Sequence, residues 1–146
     1  MTKAQHRALA NQFSGTWNRE YCYWKLRTDP LYAAVSAAFL DADDGETPLL
    51  DIGCGLGLFA CYLKESGFRA PVMGIDYDVR KIRAAQARAS GSDQNFGEMT
   101  FIQGDVRTML PNFTGHVAIL DVLQFLDGPQ QDQLVQTSVD ALAPGA

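Results

Sequence analysis

The stretch LLDIGCGLGLFACYL, residues 49–63, decides how this chain folds. Its leading leucines begin an apolar run that a carboxylate, Asp51, interrupts, and Gly53, Gly55 and Gly57 follow at alternate positions. The apolar residues after the glycines have the spacing of an amphipathic helix. Glycine allows a tight turn between strand and helix, and it lets a ligand approach the main chain closely. We therefore predict a strand, a turn and a helix from about residue 56, whose exposed N–H groups can receive a polar ligand group.

Strands and helices alternate along the rest of the chain. The predicted strands are 49–53, 71–76, 99–105 and 116–121, and the predicted helices are 29–40, 56–67, 78–91 and a last one from residue 128. Apolar strands separated by helices are typical of a parallel sheet covered on both faces, which builds a Rossmann-like, doubly wound α/β fold. A polar loop is predicted at 91–98. The last helix should bury one apolar side, formed by Leu134, Val135, Val139 and Leu142.

Aspartates stand at or near the end of every predicted strand: Asp51, Asp76, Asp105 and Asp121. In doubly wound sheets, ligands bind outside the carboxyl ends of the strands, so these carboxylates should meet at one rim. Asp76 could accept hydrogen bonds from both hydroxyls of a ribose. The turn and Asp76 together predict a site for a cofactor that contains a nucleoside.

The glycine spacing and Asp51 narrow the choice of cofactor. A nicotinamide dinucleotide favours G-x-G-x-x-G, whereas this chain has G-x-G-x-G. Asp51 would repel a pyrophosphate but would attract the ammonium group of an amino acid. S-adenosylmethionine has adenosine, a sulfonium cation and an amino-acid tail, and it has no phosphate. We therefore predict S-adenosyl-L-methionine as the cofactor.

Four motifs in this order resemble those of the class I S-adenosylmethionine-dependent methyltransferases of the small-molecule type. They are LLDIGCGLG (49–57), GIDYD (74–78), GDV (104–106) and AILDVLQFL (118–126), and the resemblance covers about residues 29–145. It implies the strand order 3-2-1-4, with the usual later strands absent from this chain. It also implies that Asp51 and the glycine loop, which includes Cys54 as a small filler, bind the methionine end of the cofactor.

The resemblance implies roles for the other motif residues too. Asp76 would bind the ribose diol and Tyr77 would pack on the adenine, with Asp105 near the adenine amino group and the Val106 backbone near a ring nitrogen. Asp121 and the loop after it would face the methyl group and the acceptor. From the residues alone, other interpretations stay open: Asp51 as a cap for the loop amides, the other three acids as ordinary strand-end or turn residues, and Tyr77 as a surface aromatic.

The reaction needs few catalytic groups. Methyl transfer from a sulfonium is an in-line displacement, so positioning can supply much of the acceleration. Many members of the resembling family have a histidine where this chain has Gln124, which cannot act as a base. The catalytic residues therefore stay unassigned, with Asp121 and Gln124 as candidates near a small-molecule acceptor, and no metal site is predicted. The alternatives are an NAD-dependent oxidoreductase and a catalytically silent S-adenosylmethionine-binding module.

An aromatic helical segment precedes the predicted domain. Trp17, Tyr21 and Trp24 fall on one face of a helix. This face either packs on the body of the domain, which is the more ordinary interpretation, or belongs to a lid over the cofactor. We divide the chain into an N-terminal helical lid segment, 1–28, and a cofactor-binding domain, 29–146. Three cations of the segment could contact the cofactor carboxylate: Arg19, Lys25 and Arg27.

Composition limits the partners and the compartment. The chain has 146 residues, 47% of them hydrophobic, and a formal net charge of −5. This acidic balance, without a basic cluster, argues against a nucleic-acid partner. The cysteines have no C-x-x-C spacing, which indicates reduced thiols; they are Cys22, Cys54 and Cys61. We expect a cytoplasmic protein with no secretory signal and no membrane association.

The end of the sequence suggests a piece of a longer enzyme. It stops at ALAPGA (141–146), where the resembling family continues into a fifth strand and a terminal hairpin. With the strand order 3-2-1-4, the fourth strand would be an edge that can pair with another chain. We therefore expect a C-terminally incomplete domain that self-associates through this strand.

Overall fold

The computed structural model describes residues 1–91, 98–108 and 110–144. Its strands are β1 (Leu49–Ile52), β2 (Val72–Asp76), β3 (Met99–Gln103) and β4 (His116–Ile119). Its α-helices are α1 (Lys3–Asn11), α2 (Thr16–Thr28), α3 (Leu31–Asp41), α4 (Leu58–Glu65), α5 (Val79–Gly91) and α6 (Gly128–Asp140), and a short 3₁₀ helix spans Leu123–Phe125. Most of the predicted polar loop at 91–98 lies outside the described residues.

The four strands form one parallel sheet in the order β3-β2-β1-β4. This confirms the predicted Rossmann-like fold and its strand order. Successive side chains of a strand point to opposite faces, and β1 is buried along its whole length. Leu49 belongs to the core formed with α1 to α5, and Leu50 and Ile52 belong to a second core with Leu134 of α6. Asp51 therefore lies on the face that the N-terminal helices cover.

The two edge strands end earlier than predicted. β3 ends at Gln103 and β4 at Ile119, so Asp105 and Asp121 lie in the loops that follow these strands. Helix α4 begins at Leu58 instead of residue 56, because Gly57 adopts a left-handed conformation with φ +73° as its N-cap. All four acids still lie at or beside the carboxyl edge of the sheet.

The N-terminal helices differ from the prediction. Helix α1 lies within the segment predicted as helical, but its separate bounds were not predicted, although Thr2 and Gln5 form a capping box at its start. In α2 the aromatic face does not pack on the domain: Trp17, Tyr21 and Trp24 are 85%, 54% and 56% exposed. The buried stripe of α2 consists of Cys22 and Leu26. The packed-face interpretation is therefore wrong, because the small buried stripe lies on another side of the helix.

The apolar side predicted for the last helix is also wrong in part. Leu134 and Ser138 are buried in α6, whereas Val135, Val139 and Leu142 are partly exposed. Leu142, just after α6, pairs in parallel with Gly115 beside the start of β4. None of the helices in the described part of the chain is long and apolar enough to cross a membrane.

Candidate functional site

A cavity of about 350 Å³ opens at the carboxyl edge of the sheet. It brings together six of the residues that the sequence predicted for the site: Gly53, Asp76, Tyr77, Asp105, Val106 and Asp121. It also includes residues that the sequence reasoning did not single out: Lys81, Gly104, Arg107, Val122, Phe125 and Leu126. Most of these residues follow a strand-end acid within a few positions or belong to the fourth motif. Their closeness in sequence to the predicted site residues is the signal that could have identified them.

The glycine turn is fixed by close packing as well as by backbone conformation. Gly53 and Gly57 have φ values of +74° and +73°. A Cβ at Gly53 would lie 2.1 Å from Val122 Cγ2, and one at Gly57 would lie 2.6 Å from the ring of Phe101. Any side chain at either position would therefore require the neighbouring loop or ring to move.

The amides of the turn are bonded to β2. Gly53 and Cys54 donate their N–H groups to the carbonyl of Ile75 at 2.8 and 3.0 Å. The N–H of Gly55 donates to Asp76 Oδ2 at 2.9 Å. These donors are used within the protein, so the turn offers a ligand fewer free amides than the sequence suggested. The carboxylate that holds the turn is Asp76.

Asp76 is oriented from two sides. Its Oδ1 accepts the N–H of Asp78 at 2.8 Å, and its Oδ2 accepts the N–H of Gly55. The residue is 6% exposed, yet it lines the cavity. Each carboxylate oxygen has a second lone pair that can accept a hydroxyl from the cavity. The geometry is therefore compatible with a bidentate contact to a vicinal diol.

Asp51 is the most unusual group near the site. It is 2% exposed, and its Oδ2 has no hydrogen-bond partner. Burial, with a smaller contribution from the charge of Asp76, raises the pKa of Asp51 to about 7. Asp51 does not line the cavity, and the neighbouring turn amides donate to Ile75 and Asp76 instead. A buried carboxylate without a partner is costly, and a cation would relieve that cost.

The part of the cavity formed by Tyr77, Asp105 and Arg107 is exposed and charged. Tyr77 is 70% exposed. Arg107 forms an ion pair with Asp105 at 2.5 Å, and the hydrogen bond from its side chain is the main reason that the pKa of Asp105 falls to about 2. Asp105 is therefore ionised and paired with Arg107 in this structure.

Lys25 of α2 is bonded to two carboxylates. Its Nζ lies 2.5 Å from Asp121 Oδ2 and 2.6 Å from Asp29 Oδ2. Burial acts to lower the pKa of Lys25, but the bonds to Asp121 and Asp29 together outweigh it and raise the pKa. Asp121 itself has a φ of +56°, which is uncommon for a residue other than glycine. The contact ties the N-terminal helices to the loop after β4.

The remaining candidates lie away from the cavity. Gln124, on the 3₁₀ helix, is exposed and does not line it. Cys54 is 8% exposed, and its side chain packs against Gly74. Burial raises the pKa of its thiol, so Cys54 is a packing residue rather than a nucleophile. Arg19 donates its Nε–H to the carbonyl of Phe13, and the Nε of Arg27 is buried without a partner.

Residues 49–145 match a protein family that is described as a methyltransferase domain. The chain belongs to this methyltransferase family. The matched residues include β1, the glycine turn and every acid at the rim of the cavity.

This methyltransferase domain is similar to proteins that are longer than itself. It is 36% identical over 62 residues to a tRNA (guanine-N(7)-)-methyltransferase from Rubrobacter xylanophilus. The aligned residues cover 42% of this chain and 27% of that protein. The chain therefore spans about a quarter of the length of this curated relative.

Solved structures of other methyltransferases have the same fold. An amino pentose methyltransferase from Micromonospora echinaspora, bound to SAM, has a TM-score of 0.66 and 22% identity over 90% of this chain and 53% of that one. Magnesium protoporphyrin IX methyltransferase from Synechocystis PCC 6803, also bound to SAM, has a TM-score of 0.68 and 18% identity over 93% of this chain and 64% of that one. At these identities the likeness establishes the fold.

Proposed function

We propose that this methyltransferase domain binds S-adenosyl-L-methionine at the cavity and transfers its methyl group to a small-molecule acceptor. The observation that supports this most strongly is the Asp51 carboxylate, which is buried beside the glycine turn with one oxygen unpartnered. The ammonium group of the cofactor would supply the missing partner. Membership of the methyltransferase family and the SAM-bound neighbours of the same fold support the same cofactor.

The proposed placement follows the shape of the cavity. The ribose hydroxyls would donate to Asp76, whose carboxylate is already oriented by two backbone N–H groups. The adenine would lie in the exposed part of the cavity against Tyr77, between Asp105 and the Val106 backbone. The methionine group would extend past Gly53 towards Asp51. Asp121 would then lie beside the sulfonium and the acceptor.

The chemistry that we propose depends on positioning. The methyl carbon moves from sulfur to a nucleophile in line with the breaking bond, and the neutral thioether leaves. Orientation of the two reactants can supply roughly 7–11 kcal/mol of such a barrier. Gln124 cannot accept a proton, so an acceptor that needs deprotonation would require Asp121 or its own basic group. An amine acceptor in its neutral form needs no base before the transfer.

Charge supports a small acceptor over a nucleic acid. The chain has a formal net charge of −5, whereas a surface for RNA needs a cluster of cations. The neighbours of similar fold are named as methyltransferases of an amino pentose and of a magnesium porphyrin. The curated relative is named as a tRNA methyltransferase, so tRNA is the competing acceptor class that the experiment must include.

Three further properties are proposed with this function. Residues 1–28 act as a lid over the cofactor-binding domain of residues 29–146, which the contact of Lys25 with Asp121 supports. The protein works in the cytoplasm, which its three buried free cysteines support.

Copies associate through β4, because within the described residues only the start of its outer side is paired, at Gly115 with Leu142. Sedimentation at increasing protein concentration tests the association.

Calorimetry with S-adenosylmethionine, S-adenosylhomocysteine and NAD tests the cofactor assignment. Both adenosyl ligands should bind the unmodified chain and NAD should not. Asp51→Asn should weaken the adenosyl ligands by roughly 10-fold or more, because it removes the charge opposite the ammonium. Asp132→Asn, at an exposed position of α6, is the matched control and should leave binding unchanged. Saturable binding of NAD would overturn the assignment.

The acceptor class needs a separate assay. The chain is incubated with the cofactor labelled at its methyl group, together with either a small-molecule pool of amines and hydroxylated metabolites or total tRNA. Label in the small-molecule fraction would support the proposal. Label in tRNA alone would show that the acceptor is nucleic acid.

A further inference from the structure

Lys25 lies at a junction beside the cavity, where it contacts Asp29, Asp121 and the ring of Tyr32. Its Nζ is 2.5 Å from Asp121, a residue that lines the cavity. The same Nζ is 5.7 Å from the ring centroid of Tyr32. The pKa of Tyr32 is raised by its burial and then by the charge of Asp51, with smaller contributions from Tyr21, Asp121 and Asp29. Lys25 and these three aspartates are therefore charged groups near the Tyr32 ring, and Asp121 connects them to the cavity.

Negative charges outnumber positive ones at this junction, and the zwitterionic end of an amino acid could pair with both kinds. Three carboxylates, those of Asp29, Asp51 and Asp121, act on the buried Tyr32, whereas one ammonium, that of Lys25, lies over its ring. A zwitterionic methionine group brings an ammonium and a carboxylate. The ammonium complements Asp51, and the carboxylate then needs a cation of its own. Lys25 is the cation that the structure places at this junction.

The other two cations of α2 are less suited to this role. The Arg19 side chain is held by the carbonyl of Phe13 at 2.9 Å. Arg27 is two positions from Lys25, so it projects from a different side of the helix. Among the three cations that the sequence analysis left open, Lys25 is the one that forms an ion pair with a residue of the cavity.

We propose that Lys25 binds the carboxylate of the methionine group of S-adenosylmethionine by exchanging Asp121 for it. This inference rests on the proposed function. Asp29 keeps its bond to Lys25 during the exchange, so the ammonium stays at the junction. The freed carboxylate of Asp121 then lies beside the sulfonium, which is the third charge that the cofactor brings. Each charge of the cofactor thereby meets an opposite charge of the protein.

A pair of ligands that differ only in the carboxylate tests this assignment. S-adenosylhomocysteine is compared with its decarboxylated analogue, which keeps the amine, and both affinities are measured by calorimetry. The unmodified chain should prefer the ligand with the carboxylate. Lys25→Gln should reduce that preference roughly 10-fold or more, because a hydrogen bond to a charged group is lost. Lys25→Arg should retain most of the preference, since the cation remains.

A second variant changes the preference in the opposite direction. Asp121→Asn removes the carboxylate that competes for Lys25, so the preference for S-adenosylhomocysteine over its analogue should rise. Lys3→Gln, which removes an exposed cation from α1, should change neither affinity. Circular dichroism checks whether each variant is folded, and Asp121→Asn keeps the test decisive if Lys25→Gln does not fold.

The outcomes separate the two proposals. Equal losses of both ligands in Lys25→Gln, or a lower preference in Asp121→Asn, would overturn the role of Lys25 and leave the cofactor assignment intact. Failure of both ligands to bind the unmodified chain would overturn the cofactor assignment, and the role of Lys25 with it.

Discussion

Replacing Asp51 by asparagine should stabilise the chain without its cofactor, and the gain should depend on pH. The carboxylate is fully buried and one of its oxygens has no partner, so its ionised form is disfavoured in the folded state. The pKa of Asp51 is about 7, compared with an ordinary value of 3.8. An asparagine has nearly the same shape and no charge, so it removes this cost.

The pKa values set the direction and the range of the effect. Below the ordinary pKa of 3.8, Asp51 is protonated in both states and costs nothing by ionisation. As the pH rises, the unfolded chain loses this proton first, so the free energy of unfolding falls until the pH passes the folded pKa of about 7. Between about pH 5 and about pH 8, this fall amounts to about 2–3 kcal/mol. The asparagine variant lacks it.

Urea unfolding of both proteins at about pH 5 and about pH 8 measures the effect. The difference in unfolding free energy between Asp51→Asn and the unmodified chain should be about 2–3 kcal/mol larger at the higher pH. The asparagine amide has its own burial cost, but that cost does not titrate and therefore cancels between the two pH values. A difference that stays the same at both pH values would refute the reasoning, because it would show that Asp51 has no raised pKa.

Three other changes have defined outcomes. Asp76→Ala should weaken binding of S-adenosylmethionine by about 1.5–3 kcal/mol in calorimetry, and unchanged affinity in a folded variant would exclude the ribose contact. Gly57→Ala should lower the free energy of unfolding by about 2–5 kcal/mol, because left-handed strain adds to a clash with Phe101. Gly67→Ala has the strain alone and should cost about 1–2 kcal/mol; equal losses would contradict the clash. Cofactor should slow amide exchange in residues 17–27, and equal exchange would contradict the lid.

The parallel sheet and the rim of the site follow from local patterns, which is why the sequence predicts them well. β1 and the glycine turn are contiguous in the chain, and Asp76 ends the next strand, so their meeting requires only the parallel topology. The side chains of α2 do not follow in the same way. Its exposed aromatic residues look like a buried face, because aromatic residues are usually the more buried ones, whereas the helix packs through Cys22 and Leu26.

The electrostatics of the site depend on contacts that are distant in the sequence. The ion pair between Lys25 and Asp121 joins residues that are 96 positions apart, and it forms only because α2 packs beside the loop after β4. The raised pKa of Asp51 likewise comes from helices that cover its face of the sheet. Neither feature leaves a periodic signal in the chain. Residue type marked these positions as candidates, and packing decided their partners.

The two hydrogen bonds to Asp76 have a consequence for how this chain can change in evolution. One carboxylate connects the N–H of Gly55, before α4, with the N–H of Asp78, before α5. A substitution that shifts the start of α5 therefore moves the carboxylate, and through it the glycine turn on the neighbouring strand. Mutations at these two loops should show epistasis, so that a change tolerated at one loop alters what the other loop tolerates. The proposed ribose and methionine ends of the site would then change together rather than independently.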